Sequence, residues 1–410
     1  MNNKQIMDSA KRFAALGNFF LMDKGKYVPF LWPQPKLISG VGAALQAPQV
    51  FREMGVSCVV VVTGPGSGAR LARPILDEME KYGIRFEHFH EVEANPSLET
   101  VEKIYKLYKT IGAEAFLAIG GGSPMDAAKG AAARVARTGT PLVKLAGLMK
   151  ILVPAPPIVA IPTTAGTGSE CTYVSVITDH AREMKIVITD QHLMPRVAIL
   201  DPMMTVSMPA SLTASTGIDA LTHAVESYTN AFYGTAFTTR CAEEAVVKIF
   251  RNVEKAYHDG NDLEARAQML EASYKAGLAF TRTGVGNVHA IAHALGGKYG
   301  VAHGLANSVI LPIVLEDYGE AFYTKLAHLA ELTGVKSDGT DADKARAFIG
   351  AIRAMNKRMG MPSGLDMIKP EDFDHIVKTA VTEACSSYPT PVIYNAERCR
   401  HVLNRILLEA

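Results

Sequence analysis

Between about Pro35 and Leu200, short apolar runs alternate with stretches of helical periodicity. Cys58–Thr63 (C-V-V-V-V-T), Ala115–Ile119, Ile158–Ile161, Tyr173–Thr178, Met184–Thr189 and Val197–Leu200 are four to six residues long. Most are rich in β-branched side chains and bounded by Gly, Pro or Asp, which predicts strands. Helical patterns at Arg70–Tyr82 and Ser97–Ile111 lie between the first two runs. Strand–helix alternation of this kind predicts a parallel sheet with helices on its faces. Near Pro209 the texture changes. The remainder is almost all 3.6-period helix, with Ser211 before Leu212 and Asp262 before Leu263 as expected caps. The fold class expected is an α/β domain over residues 1–207, followed by an all-helical domain over 208–410. The first ~35 residues carry no strong pattern and end in Pro29, Pro33 and Pro35.

Within the helical half, His289–His303 reads H-A-I-A-H-A-L-G-G-K-Y-G-V-A-H and holds three of the chain's twelve histidines. His289 and His293 are four apart and share a helix face. Gly296 and Gly297 are expected to break that helix, so that His303 returns beyond the turn. Neutral imidazole is the commonest nitrogen ligand for a transition metal. The plainer alternative is a set of stacked, hydrogen-bonded core histidines. Upstream, Asp219 and His223 are also four apart, and a buried Asp–His bond would be the plain reading there. Together they offer one oxygen and up to four nitrogens, a mixture that suits Fe²⁺ or Zn²⁺ better than Mg²⁺ or Ca²⁺. Spacing alone does not choose among His289, His293 and His303. H-A-I-A-H lacks the glutamate of H-E-x-x-H, which removes the general base of a metalloprotease.

Three loops suit a nucleotide. Ala118–Asp126 (A-I-G-G-G-S-P-M-D) runs from strand through glycines into a helix that Ser123 opens, with Pro124 first in it. Free N–H groups and the positive helix end there would face a pyrophosphate. Thr63–Arg70 (T-G-P-G-S-G-A-R) has Gly64 where an acidic side chain would hold a ribose 2′-hydroxyl, with Ser67 and Arg70 close by. That pattern favours NADP(H) over NAD(H). Pro162–Glu170 (P-T-T-A-G-T-G-S-E) is a small, hydroxyl-rich loop able to bond phosphates or ribose. A ligand-free turn is the competing reading of each.

Composition narrows the class. Hydrophobic content of 48% with 20% charged residues is ordinary for a soluble protein, and 410 residues favour two domains. A net charge of +1 argues against a nucleic-acid surface. Five scattered cysteines without a C-x-x-C pair argue for a reducing cytoplasm, against a disulfide framework or cysteine zinc site. Phe19–Met22 is too short and too charge-flanked for a leader, and no apolar run reaches the ~18 residues of a membrane span.

Four segments together resemble the iron-containing (group III) alcohol dehydrogenases: G-G-G-S-P-M-D at Gly120–Asp126, T-T-A-G-T-G-S-E at Thr163–Glu170, T-G-I-D-A-L-T-H-A-V-E-S-Y at Thr216–Tyr228, and H-A-I-A-H…H-G at His289–Gly304. The resemblance implies a dinucleotide-binding α/β domain and a helical metal domain with the site in a cleft between them. It implies Asp219, His223, His289 and His303 as ligands of Fe²⁺ or Zn²⁺, with His293 beside the metal as a proton-relay group. It also implies pyrophosphate on Gly121, Gly122 and Ser123, with Asp126 and Ser67 on the cofactor side. Thr163, Thr164 and Thr167 would line the nicotinamide end, Lys185 would contact the ribose, Asn95 would lie near the adenosine, and Phe280 would wall the substrate pocket. A homodimer acting on small alcohols or aldehydes follows from the same likeness. Gly64, a longer N-terminus and the segment 389–395 depart from the family pattern. The alternatives are a glycerol-dehydrogenase-like polyol enzyme, a dehydroquinate-synthase-like enzyme, which the Asp219–His223 pair disfavours, and, in another class, a metallohydrolase.

Overall fold

The computed structural model describes residues 33–410 apart from positions 183, 231 and 391. The patternless N-terminal stretch through Trp32, with Phe19–Met22, lies outside the described residues. Six strands form a parallel sheet in the order β1-β9-β6-β4-β2-β3. They are β1 (Lys36–Ser39), β2 (Cys58–Thr63), β3 (Arg85–Phe89), β4 (Ala115–Gly120), β6 (Ile158–Pro162) and β9 (Val197–Leu200). Helices α1 (Ala47–Glu53) and α2 (Ser67–Lys81) cover one face, α3 (Leu98–Ile111) and α4 (Gly122–Ala136) the other. The strand period of two divides the core. Val59, Val61, Leu117 and Ile119 pack with Phe51, Ile75 and Met79, whereas Val60, Val62, Phe116 and Ala118 pack with Val101, Ile104 and Met125. A strand buried on both faces has to read as an unbroken apolar run, and β2 does.

Two strands carry no such run. β3 (R-F-E-H-F) and β1 (K-L-I-S) are the sheet's two edges, paired on one side only, where charged positions are tolerated. The parallel sheet is present as expected, but two of the predicted strands lie outside it. β7 (Val174–Asp179) and β8 (Met184–Thr189) pair antiparallel, and β8 pairs with the short β5 (Gly147–Leu148) in a separate three-stranded sheet. Only residues 180–183 connect β7 to β8, far fewer than the dozen or so a parallel crossover needs.

The later part is helical, as expected: α5 (Ala210–Thr229), α6 (Ala236–His258), α7 (Leu263–Thr283), α8 (Asn287–Tyr299), α9 (His303–Tyr318), α10 (Tyr323–Thr333), α11 (Asp341–Arg358), α12 (Phe373–Ser387) and α13 (Ala396–Leu408). Asp262 caps α7 by accepting from the Ala265 N–H at 2.9 Å. Ser211 does not cap: α5 begins at Ala210 behind Pro209, which puts Ser211 in its first turn. Likewise Gly121 stands at the N-cap of α4, and Ser123 and Pro124 sit inside the first turn, where a missing N–H still costs nothing. Gly296 and Gly297 do not break α8. The helix runs to Tyr299 and ends where Gly300 turns left-handed at φ 69°. Each interior glycine costs about 1 kcal/mol relative to alanine, less than α8 gains by burying Val288, Ile291 and Leu295.

The chain divides into two compact units. One reaches Met208 and takes in Gly260–Gly277; the other comprises Pro209–Asp259 and Leu278–Ala410. Within the first, the loop after β6 lies directly on α7. A Cβ at Gly168, whose φ is +59°, would stand 2.8 Å from the Gly277 Cα, and one at Gly277 would stand 2.5 Å from the Cys171 Sγ. Gly277→Ala is therefore expected to cost about 1–3 kcal/mol through overpacking, read as a lowered midpoint in chemical denaturation. An unchanged midpoint would mean that loop and helix are free to separate.

Candidate metal centre

Helix α5 places Asp219, His223 and Glu226 at i, i+4 and i+7, along one buried stripe. Helix α9 packs on both α5 and α8, which carries His303 to the same place as His289. One ligand atom from each of Asp219, His223, His289 and His303 lies within 4.8 Å of every other. The His303 and His289 Nε2 atoms are 3.4 and 3.8 Å from the Asp219 Oδ1. The His223 ring stacks between Phe280 and His289, with centroids 4.2 and 4.5 Å away.

Glu226 fixes the orientation of His289. Its Oε2 is 2.5 Å from the His289 Nδ1 and accepts from the Gly286 N–H, while its Oε1 accepts from the Val288 N–H at 2.7 Å. Holding the proton on Nδ1 leaves the Nε2 lone pair directed at the cluster. Burial is the main reason the His289 imidazole loses its proton far more readily than usual and the His303 pKa falls to about 4, so both stay neutral at physiological pH.

His293, on the same face of α8, stands beside the group rather than within it. Its ring stacks on His303 at 5.1 Å, and its Nδ1 is 2.6 Å from the Glu383 Oε1, which also accepts from the Tyr388 hydroxyl at 2.5 Å. Burial opposes a charge on this ring, but the Glu383 carboxylate outweighs it and raises the pKa. Glu226, Glu383, Tyr388 and Asn307 escaped the sequence reading. Glu226 had a signal, seven residues after Asp219, and Asn307 had one, a turn after His303. Glu383 and Tyr388 are some 90 residues from His293 and had none.

In the α/β unit the three predicted loops meet at the carboxyl ends of β2, β4 and β6. A Cβ on Gly121 or Gly122 would press on Thr164 or Thr167 at 3.0 and 3.3 Å, so the glycine turn lies flat on the threonine loop. Asn95, left-handed at φ 59°, donates its N–H to the Ser123 Oγ and accepts from the Lys185 ammonium at 2.6 Å. The Asp126 Oδ1 accepts from the Ser169 hydroxyl at 3.2 Å, and burial lifts its pKa to about 6. Lys129, also missed, is fully buried and ties that loop down through the Ser169 and Val174 carbonyls and two hydroxyls. The Thr164 Oγ1 is buried and makes no hydrogen bond, which suits a polar ligand. Thr163 lies half-buried in the same loop. Gly64, where a Cβ would be 3.2 Å from the Val92 carbonyl oxygen, and Ser67, exposed at the start of α2, stand at the end of β2.

A carboxylate and three imidazoles gathered from three helices fit a divalent transition ion, and glycine and threonine loops at the ends of parallel strands fit a dinucleotide. These two units define a metal-dependent, nucleotide-linked oxidoreductase. The chain belongs to the iron-containing alcohol dehydrogenase family: residues 33–202 match the family model "Iron-containing alcohol dehydrogenase" and residues 213–407 that of the family's C-terminal part. It is 36% identical over 356 residues to the NAD-dependent methanol dehydrogenase of Bacillus methanolicus, covering 86% of this chain and 93% of that one. Identity is also 36%, over 355 residues, to a 1,3-propanediol dehydrogenase of Klebsiella pneumoniae, covering 85% and 90%. A crystal structure of a 1,3-propanediol oxidoreductase superposes with TM-score 0.88 at 33% identity, covering 92% of this chain and 99% of that one. The protein is an alcohol and aldehyde oxidoreductase.

Gly304, next to His303, lets α9 touch α5: a Cβ there would fall 2.3 Å from the Ser215 carbonyl oxygen. Gly304→Ala is expected to cost about 1–3 kcal/mol in denaturation of the chelator-treated protein. No loss would show that the two helices are not held at this spacing.

Proposed function

We propose that this enzyme interconverts small primary alcohols and aldehydes, with a divalent ion held by Asp219, His223, His289 and His303. The convergence of those four donors supports the reading most directly. Bound there, Fe²⁺ or Zn²⁺ would act as a Lewis acid that lowers the pKa of the substrate hydroxyl. The nicotinamide supplies hydride exchange. The protein's own work is positioning and proton transfer. Glu226 directs the His289 lone pair, and Phe280, stacked on His223, offers its half-buried ring as an apolar wall for the carbon chain. His293, its Nδ1 engaged by Glu383, is free to take the hydroxyl proton at Nε2 and pass it to solvent. Gly121, Gly122, Ser123 and Asp126 would hold the pyrophosphate side, Thr163, Thr164 and Thr167 the nicotinamide side, and Asn95, Lys185, Gly64 and Ser67 the ribose and adenosine. On the family resemblance, the reading also takes the enzyme as a cytoplasmic homodimer.

For the cofactor, Gly64 presents no carboxylate to a ribose 2′-hydroxyl and Arg70 is exposed one turn into α2, which supports NADP(H). The close relative named as NAD-dependent weighs the other way. Comparing kcat/KM for NADPH and NADH with one aldehyde is the test. NADP(H) use predicts a preference of about tenfold or more, ~1.4 kcal/mol, and a preference for NADH would overturn it.

Chelation is expected to abolish aldehyde reduction while the fold persists, and Fe²⁺ or Zn²⁺ should restore it. Full activity in the chelated protein would sink the metal mechanism. His293→Ala should lower kcat about 100-fold or more with metal content unchanged. Metal loss in that variant would make His293 a ligand instead.

A further inference from the structure

We infer that Asn307 is a positioning residue of the ion site, holding the Asp219 carboxylate in one orientation and keeping the donor atoms gathered before the ion arrives. Asn307 lies on α9 one turn after His303 and is fully buried. Its amide nitrogen is 2.7 Å from the Asp219 Oδ1, 3.2 Å from the His303 Nε2 and 3.4 Å from the His289 Nε2. It therefore faces three of the four donor residues at once.

The chemistry accounts for this orientation. An amide NH₂ carries two hydrogens and no lone pair to spare, so it donates to the Asp219 Oδ1 and suits the His289 Nε2, whose ring is engaged at Nδ1 by Glu226. The shortest contact goes to the carboxylate, as expected for a charge-assisted bond. Turning the amide over would put a carbonyl oxygen against the Asp219 carboxylate oxygen. The Asn307 Oδ1, meanwhile, is buried without a hydrogen bond, an unfavourable state for a residue whose only task is packing. Four possible ligand atoms lie within 4.8 Å of one another, one of them a carboxylate oxygen that calls for a donor beside it. The Asn307 amide is that donor. When an ion is bound, the bond to Oδ1 persists as the outer support that a ligating carboxylate needs.

This inference rests on the reading that the cluster binds a divalent ion, and the test separates the two. Zn²⁺ affinity is measured by chelator competition on the full chain, wild type against Asn307→Leu, Asn307→Ala and Asp219→Asn, with Co²⁺ absorption reporting ligand geometry. Both Asn307 variants should bind Zn²⁺ about 10–100-fold more weakly and shift the Co²⁺ bands, with near-wild-type folding by circular dichroism. Leucine fills the volume and alanine leaves it empty, so either folded variant suffices. Wild-type affinity and an unchanged Co²⁺ spectrum in a folded Asn307 variant would overturn the inference. So would unfolding of both variants, which would assign Asn307 to the core alone. Wild-type affinity in Asp219→Asn would instead overturn the ion-site reading itself.

Discussion

A carboxylate 3% exposed among three imidazoles depends on where each proton sits. A buried anion is tolerated only when donors or a cation surround it, and imidazoles become good ligands only when they are neutral with a lone pair turned inward. Glu226 meets the second condition at His289, while Asn307 contributes to the first at Asp219. The helices follow from this. α5, α8 and α9 have to meet closely enough for atoms on three separate elements to share one position, which is why a glycine stands where α9 touches α5.

The α/β unit solves a different problem with similar means. Its loops at the strand ends are made of glycine and threonine because the turns lie on one another with almost no side chain between them. Lys129 then pins the threonine loop from beneath, its ammonium fully enclosed by carbonyls and hydroxyls. Burial lowers its pKa to about 8, so it still carries its charge near neutrality. This buried cation partly offsets the cost of enclosing the Asp126 and Glu170 carboxyl groups, whose pKa values burial nonetheless raises.

Much of this was legible in the sequence, and the rest was hidden for physical reasons. Fully buried strands such as β2 announce themselves by composition, whereas edge strands such as β3 do not need to be apolar. The Asp219–His223 spacing pointed to a shared face, and Glu226 continues it at i+7, although spacing alone does not say that the face is buried. Glu383 is brought to His293 only by the packing of α12 on α8, a contact no spacing rule encodes. Gly296 and Gly297 look like breakers in sequence because propensity carries no information on the burial that overrides it. The four residues between β7 and β8 are by themselves too few for a parallel crossover.

The contact of Gly168 with Gly277 bears on how the chain can be cut. Gly260–Gly277 comes later in sequence than the first stretch of the other unit, yet it belongs with the strands that precede Met208. A fragment ended at Met208 would lack this segment, uncovering the backbone around Gly168 and the Cys171 thiol. It would then present a solvent-facing, oxidisable sulfur where the intact chain has a sealed seam.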